Sequence, residues 1–152
     1  MISRALKSPG AGVYDEDFAA WTAETGRLLR ARRLAEVDLE RVAEEIENIG
    51  IGQEREMESR VTVLLLHLLK WKCQPAKRSR SWRSTINTQR LELRRLFRRS
   101  PSVRRLLPES IPELYEDAVR SAVIETGLGA RSFPRACPFR VEQVLEDDYL
   151  PS

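Results

Sequence analysis

The chain has 152 residues, 41% hydrophobic and 32% charged, with a formal net charge of +3. That is one domain's worth of chain, long enough to bury a core without disulfide or metal staples. Two widely separated cysteines, Cys73 and Cys137, and one histidine leave too few ligands for a zinc cluster or a disulfide framework. No metal and no cofactor is therefore expected, and the reduced thiols point to a cytoplasmic setting.

Residues 1–13 hold Pro9-Gly10-Ala11-Gly12 and no apolar signal core, so they read as a flexible tail. Residues 14–152 read as a single helical-bundle domain. A first helix is expected from Asp15, with Phe18, Trp21, Thr25 and Leu28 on one stripe and Arg30, Arg32 and Arg33 near its closing turn. Asp38 is placed to cap a long second helix. Its stripe runs through Leu39, Val42, Ile46, Ile49, Gln53, Met57, Val61, Leu64, Leu68 and Trp71 in steps of three or four. Gly50 and Gly52 suggest a kink or short break in its middle, since each costs ~1 kcal/mol relative to Ala. Val61 to Leu69 is apolar nearly all round, which marks a helix surrounded by others. It is also far too short for a membrane span, so a soluble protein with no membrane partner is expected.

Pro75 stops the second helix, and a third is expected from about Ser79 to Arg99. Its core face would carry Trp82, Ile86, Gln89, Leu93, Leu96 and Phe97. The opposite face would carry Arg83, Arg90, Arg94 and Arg98. The short connection requires the two helices to pack antiparallel. Pro101 and Pro108 bracket a short turn over residues 102–107. A last long helix would start near Ser110, capped by Ser110 with Glu113, and end at Gly127. An irregular stretch, a single turn over residues 141–145 and an acidic tail complete the chain. No segment alternates with period two. The expected fold is all-α: a helical bundle of about four to five helices built on the long second helix and the antiparallel third.

Charge is segregated along the chain. Residues 14–60 hold thirteen acids and seven Lys/Arg, residues 70–105 one acid and thirteen Lys/Arg, and residues 106–152 nine acids and four Arg. The basic middle makes Arg83, Arg90, Arg94 and Arg98 a candidate nucleic-acid face, unless acidic helices neutralise it. Glu44 with Glu47, or Glu54 with Glu58, could serve a hard cation, and hence a metal-assisted hydrolase or nuclease. A solvated helix face is the commoner meaning of such acids. His67 has no partner spaced for a triad, and Lys70 is better placed to snorkel than to react. His67, Lys70, Trp71, Arg78, Arg80 and Trp82 would gather at one end of the hairpin as a candidate functional patch. The alternative is that both indoles simply lock the hairpin. No catalytic residue can be named.

Tyr14-Asp15-Glu16-Asp17-Phe18 with Trp21, Asp38-Leu39, Glu44-Glu45-Ile46-Glu47, and Leu64 to Trp71 followed by Gln74-Pro75 and Arg78 to Trp82 form one pattern along the chain. Phe133-Pro134, Cys137-Pro138 and Tyr149-Leu150-Pro151 complete it. From Tyr14 to Pro151 the chain resembles the bacterial domain-of-unknown-function family 29. The resemblance implies an all-helical bacterial protein, and no activity or catalytic residue. The reading favoured is a non-enzymatic interaction protein that binds another protein or forms a homodimer, because the stripe of the second helix reaches past what the third can cover and is left to the first helix or to a second subunit. Nucleic-acid binding through the third helix is the first alternative.

Overall fold

The computed structural model of the chain describes residues 11–152. Most of the expected tail, residues 1–10, lies outside them. Six α-helices and no strand occur among the described residues. They are α1 (Ala11–Glu16), α2 (Phe18–Arg30), α3 (Leu39–Cys73), α4 (Arg80–Arg99), α5 (Pro101–Thr126) and α6 (Val141–Leu145). No described helix is long and apolar enough to cross a membrane. The chain divides into two compact units between Gly50 and Ile51, within α3.

In the first unit the expected first helix is two. Asp17, not Asp15, is the cap of the longer one: its Oδ1 accepts from the Ala20 N–H at 2.9 Å, and α1 ends just before it. Three successive acids all suit a helix start, so composition alone could not choose among them. Tyr14 packs edge-on against Phe18 and Trp21, with ring centroids 5.6 and 5.0 Å away. Asp38 does cap α3, accepting from the Arg41 N–H at 3.0 Å. Beside it, the Arg41 guanidinium lies 4.4 Å from the Tyr14 ring centre, and the Tyr14 hydroxyl donates to Glu45. Of the first unit's apolar side chains, Trp21 and Leu28 are buried.

Helix α3 runs 35 residues without a break, so Gly50 and Gly52 do not interrupt it. Helical neighbours on both sides carry the ladder through, and a cost of ~1 kcal/mol per glycine is too small to open it. The second unit has the core. Val61, Leu64, Leu65, Leu66, Leu68 and Leu69 are buried, as expected of a central helix. They share one cluster with Ile86, Leu93 and Leu96 of α4, seven residues of α5, and Phe133, Phe139 and Val144 of the C-terminal segment. Cross-contacts show the antiparallel pairing of α3 and α4. Lys70 meets Trp82, Arg60 meets Gln89 and Gln53 meets Ser100, so numbers rise in one helix as they fall in the other. Ser79 caps α4 by accepting from the Trp82 N–H at 3.2 Å.

The prolines of α5 correct the sequence reading. One helix runs from Pro101 to Thr126 with Pro108 and Pro112 inside it. Ser110 is no cap: its hydroxyl donates to the Leu106 carbonyl at 3.0 Å. Each internal proline costs a backbone hydrogen bond, about 3 kcal/mol. Both lie on the exposed side, while Val103, Leu107, Ile111, Leu114, Ala118 and Ala122 continue one buried stripe. Packing of that stripe outweighs the local penalty. Gly127 ends the helix as expected, with φ of 71° in the left-handed region.

Candidate functional site

The hairpin-end patch is built by the close of α3 and the start of α4. Lys70 is almost buried, and its Nζ lies 2.6 Å from Glu125 Oε2 and 4.7 Å from the Trp82 ring centre. The expected snorkelling lysine is therefore held between a carboxylate of α5 and an indole of α4. Arg78 crosses the turn. Its Nε donates at 2.8 Å to the Trp71 carbonyl, one of the unpaired carbonyls ending α3, while its guanidinium lies 5.3 Å from the Trp71 ring centre. A further bond of 3.3 Å reaches the Pro151 carbonyl. Both tryptophans are half-buried. The structure thus pairs Lys70 with Trp82 and Arg78 with Trp71, each pair satisfied within the fold.

His67 lies one turn before Lys70, half-buried, with Nδ1 2.8 Å from the Val63 carbonyl. That contact places the proton on Nδ1. Burial pulls its pKa down, and Lys70 adds to this; the Val63 carbonyl and Glu125 act oppositely. Burial likewise pushes both the Cys73 and Cys137 thiols up, which makes them poor nucleophiles. Glu44 is paired with Arg41 at 3.0 Å. No group of three or more His, Cys, Asp or Glu that could hold a metal ion occurs among the described residues.

The four arginines proposed as one face of α4 are separated by the structure. Arg83 is exposed and, with Arg80, lines a shallow groove of about 400 Å³ beside Asn87 and Leu91. Arg98 is exposed near the end of the helix. Arg90, however, is 2% exposed. Its guanidinium donates to the carbonyls of Gln143, Val144, Asp147 and Tyr149 at 2.8–3.1 Å. Arg94 pairs with the Asp147 carboxylate. The acidic tail is therefore a strap tied down by α4. Sequence periodicity placed Arg90 opposite the core because it carried no information on the returning strap, which supplies a second buried side.

Two further features lie outside the hairpin patch and the arginine face. The first is exposure of the front of the α3 stripe: Leu39 is 54%, Ile46 64% and Ile49 60% exposed. Position 42, between them, is half-buried. The second is a groove of about 760 Å³ between α5 and the loop after it, rimmed by Arg120, Arg131 and Arg135. The sequence shows a stripe that reaches past the third helix; that the first unit's own helices leave Leu39, Ile46 and Ile49 exposed was not legible in it. The groove joins residues too far apart in sequence to leave a local signal.

In comparison with known proteins, the model of a family described as domain of unknown function DUF29 matches residues 13–150. No curated protein and no solved structure matches the chain.

Proposed function

The chain belongs to the DUF29 family, and on that premise we propose that it is a non-enzymatic interaction protein whose first unit docks a helix of another protein chain. The observation that carries this reading is the bare α3 seam. Leu39, Val42, Ile46 and Ile49 follow one another at spacings of three, four and three, the pattern of a helix that pairs with a helix. Three of the four are more than half exposed. Full burial of such a side chain contributes about 1.5–3 kcal/mol, so the seam retains a large unrealised driving force. The same unit buries few apolar side chains of its own, which suits a segment completed by a partner. A bacterial, cytoplasmic setting belongs to this proposal and suits the two free thiols.

Sedimentation equilibrium at micromolar concentration tests the case in which the partner is a second copy. In-cell photocrosslinking from positions 46 and 49 tests the case of a different protein. A dimer dispersed by Ile46→Glu with Ile49→Glu, or a discrete crosslink absent from position 47, is the expected result. A monomer with no crosslink from either position overturns the proposal.

A second reading is favoured by a specific distribution of charge. Arg98 and Arg99 end α4, Arg104 and Arg105 begin α5, and none of the four enters an ion pair among the described residues. Such a corner could neutralise phosphates, with Arg90 buried and Arg94 paired to Asp147 on the face first expected. Salt-dependent polarisation of a labelled duplex, lost on Arg98→Glu with Arg105→Glu, supports it. Binding unchanged by that pair of substitutions sinks it.

A further inference from the structure

The groove between α5 and the loop after Gly127 is built rather than incidental. The Tyr115 hydroxyl donates to the Pro134 carbonyl at 2.7 Å, which ties the loop to the helix. Burial pushes the Tyr115 pKa up to about 12, with smaller contributions from Cys137 and then Cys73, so this donor keeps its proton across the physiological range. Phe133 is buried beneath the loop, and a 3₁₀ turn over Ala130–Ser132 precedes it. The wall is thus pinned at both ends of the Phe133–Pro134 step.

On this frame Val119 and Pro134 supply apolar surface above the buried Phe133, and Arg120, Arg131 and Arg135 supply positive charge. Arg131 and Arg135 enter no ion pair among the described residues, whereas Arg120 is shared with Asp117 at 3.1 Å. Three guanidiniums around an apolar floor recognise carboxylates flanking an apolar side chain, because a guanidinium forks onto a carboxylate. The shape favours an extended peptide over a single small anion, since about 760 Å³ of open groove is far more than one anion fills. A nucleic acid fits less well. Glu116, which also lines the groove, lies 3.9 Å from Arg120 and with Asp117 neutralises it, so Arg131 and Arg135 are two separate anion positions rather than a continuous basic track for a phosphate backbone. Tyr115 and Phe133 are 3% and 5% exposed, which leaves no free ring face for a base to stack on.

We propose that this groove binds an acidic peptide segment of another protein, with an apolar side chain on Val119 and Pro134 and flanking carboxylates on Arg131 and Arg135. The site lies wholly in the second unit and stands independently of the α3 seam. The test uses the full chain and a fluorescein-labelled nonapeptide of glutamates around one central phenylalanine. Two further probes are the same peptide with lysines for glutamates and a labelled single-stranded oligonucleotide. Anisotropy should show binding of the acidic peptide alone, weakened at least about tenfold by Arg131→Ala with Arg135→Ala. Thermal unfolding of that variant should be unchanged, because both side chains are exposed. Amide shifts on peptide addition should centre on residues 115–120 and 130–135. No binding of the acidic peptide at millimolar concentration overturns the proposal. So does equal binding of the lysine peptide, preference for the oligonucleotide, or loss of binding on Arg98→Glu with Arg105→Glu instead.

Discussion

The Arg90 Nε of α4 donates at 2.9 Å to the Val144 carbonyl, in the helix closest to the C-terminus. Its other contacts reach the carbonyls of Gln143, Asp147 and Tyr149, so one side chain satisfies the end of α6 and the strap beyond it. Replacing Arg90 with Leu leaves these carbonyls without their donor. Arg90→Leu is expected to cost about 2–5 kcal/mol in urea unfolding. Hydrogen exchange should rise over residues 141–151 before the rest of the second unit. Arg90→Lys should rescue little, since an ammonium cannot reproduce the planar fork. A variant as stable as the native chain would show that the strap holds without the clamp.

Lys70 and Glu125 should respond asymmetrically. The lysine side chain is 11% exposed and the glutamate 45%. Glu125→Ala strands a nearly buried ammonium, softened only by the Trp82 ring, and should cost about 1–3 kcal/mol. Lys70→Met removes the charge together with its desolvation penalty, so the loss should be smaller. Thermal unfolding of the two single variants and the double variant gives the coupling directly. Equal costs for both singles would contradict this assignment.

Gly50 and Gly52 can be replaced at no steric cost, because a Cβ added at either position meets nothing within 4 Å. Each Gly→Ala change should stabilise α3 by about 1 kcal/mol, read as a raised unfolding midpoint. If these variants also lose the partner docked on the neighbouring seam, the glycines serve that partner's close approach rather than the folding of this chain. A destabilised Gly50→Ala variant would contradict the helical environment described.

The single histidine gives a clean pH readout. His67 has its pKa lowered in the folded state, first by burial, so the unfolded chain takes up a proton more readily. Stability from the neutral imidazole is complete above the unfolded value of about 6.5 and is lost as pH falls toward the folded value. Imidazole proton shifts should therefore titrate below that value, and unfolding free energy should fall between neutral and mildly acidic pH. His67→Gln should flatten part of that fall. A histidine titrating at or above the ordinary value would refute it.

Much of the fold was legible because helices announce themselves locally. Asp38 and Ser79 cap where short polar side chains precede apolar periodicity, and the all-round apolar run from Val61 to Leu69 is central. Pro108 misled for the same local reason: a proline reads as a stop until a buried stripe on the other face is known to hold the helix together. Of the candidate patch, the sequence places Lys70 near Trp82 and Arg78 near Trp71 at the hairpin end, where the structure has them in contact. The use of the patch was not legible, because Glu125 lies fifty-five positions from Lys70 and nothing near either residue links them.

The sequence alone determined the all-helical class and the antiparallel hairpin, since periodicity, caps and short connections act over a few residues. Only the tertiary structure decided which charges and apolar side chains remain outside. It turned Arg90 from a surface cation into a buried clamp, left the Leu39–Ile49 seam bare, and enclosed an arginine-rimmed groove beside Tyr115. Exposure depends on what returns from far along the chain, and no local pattern encodes that.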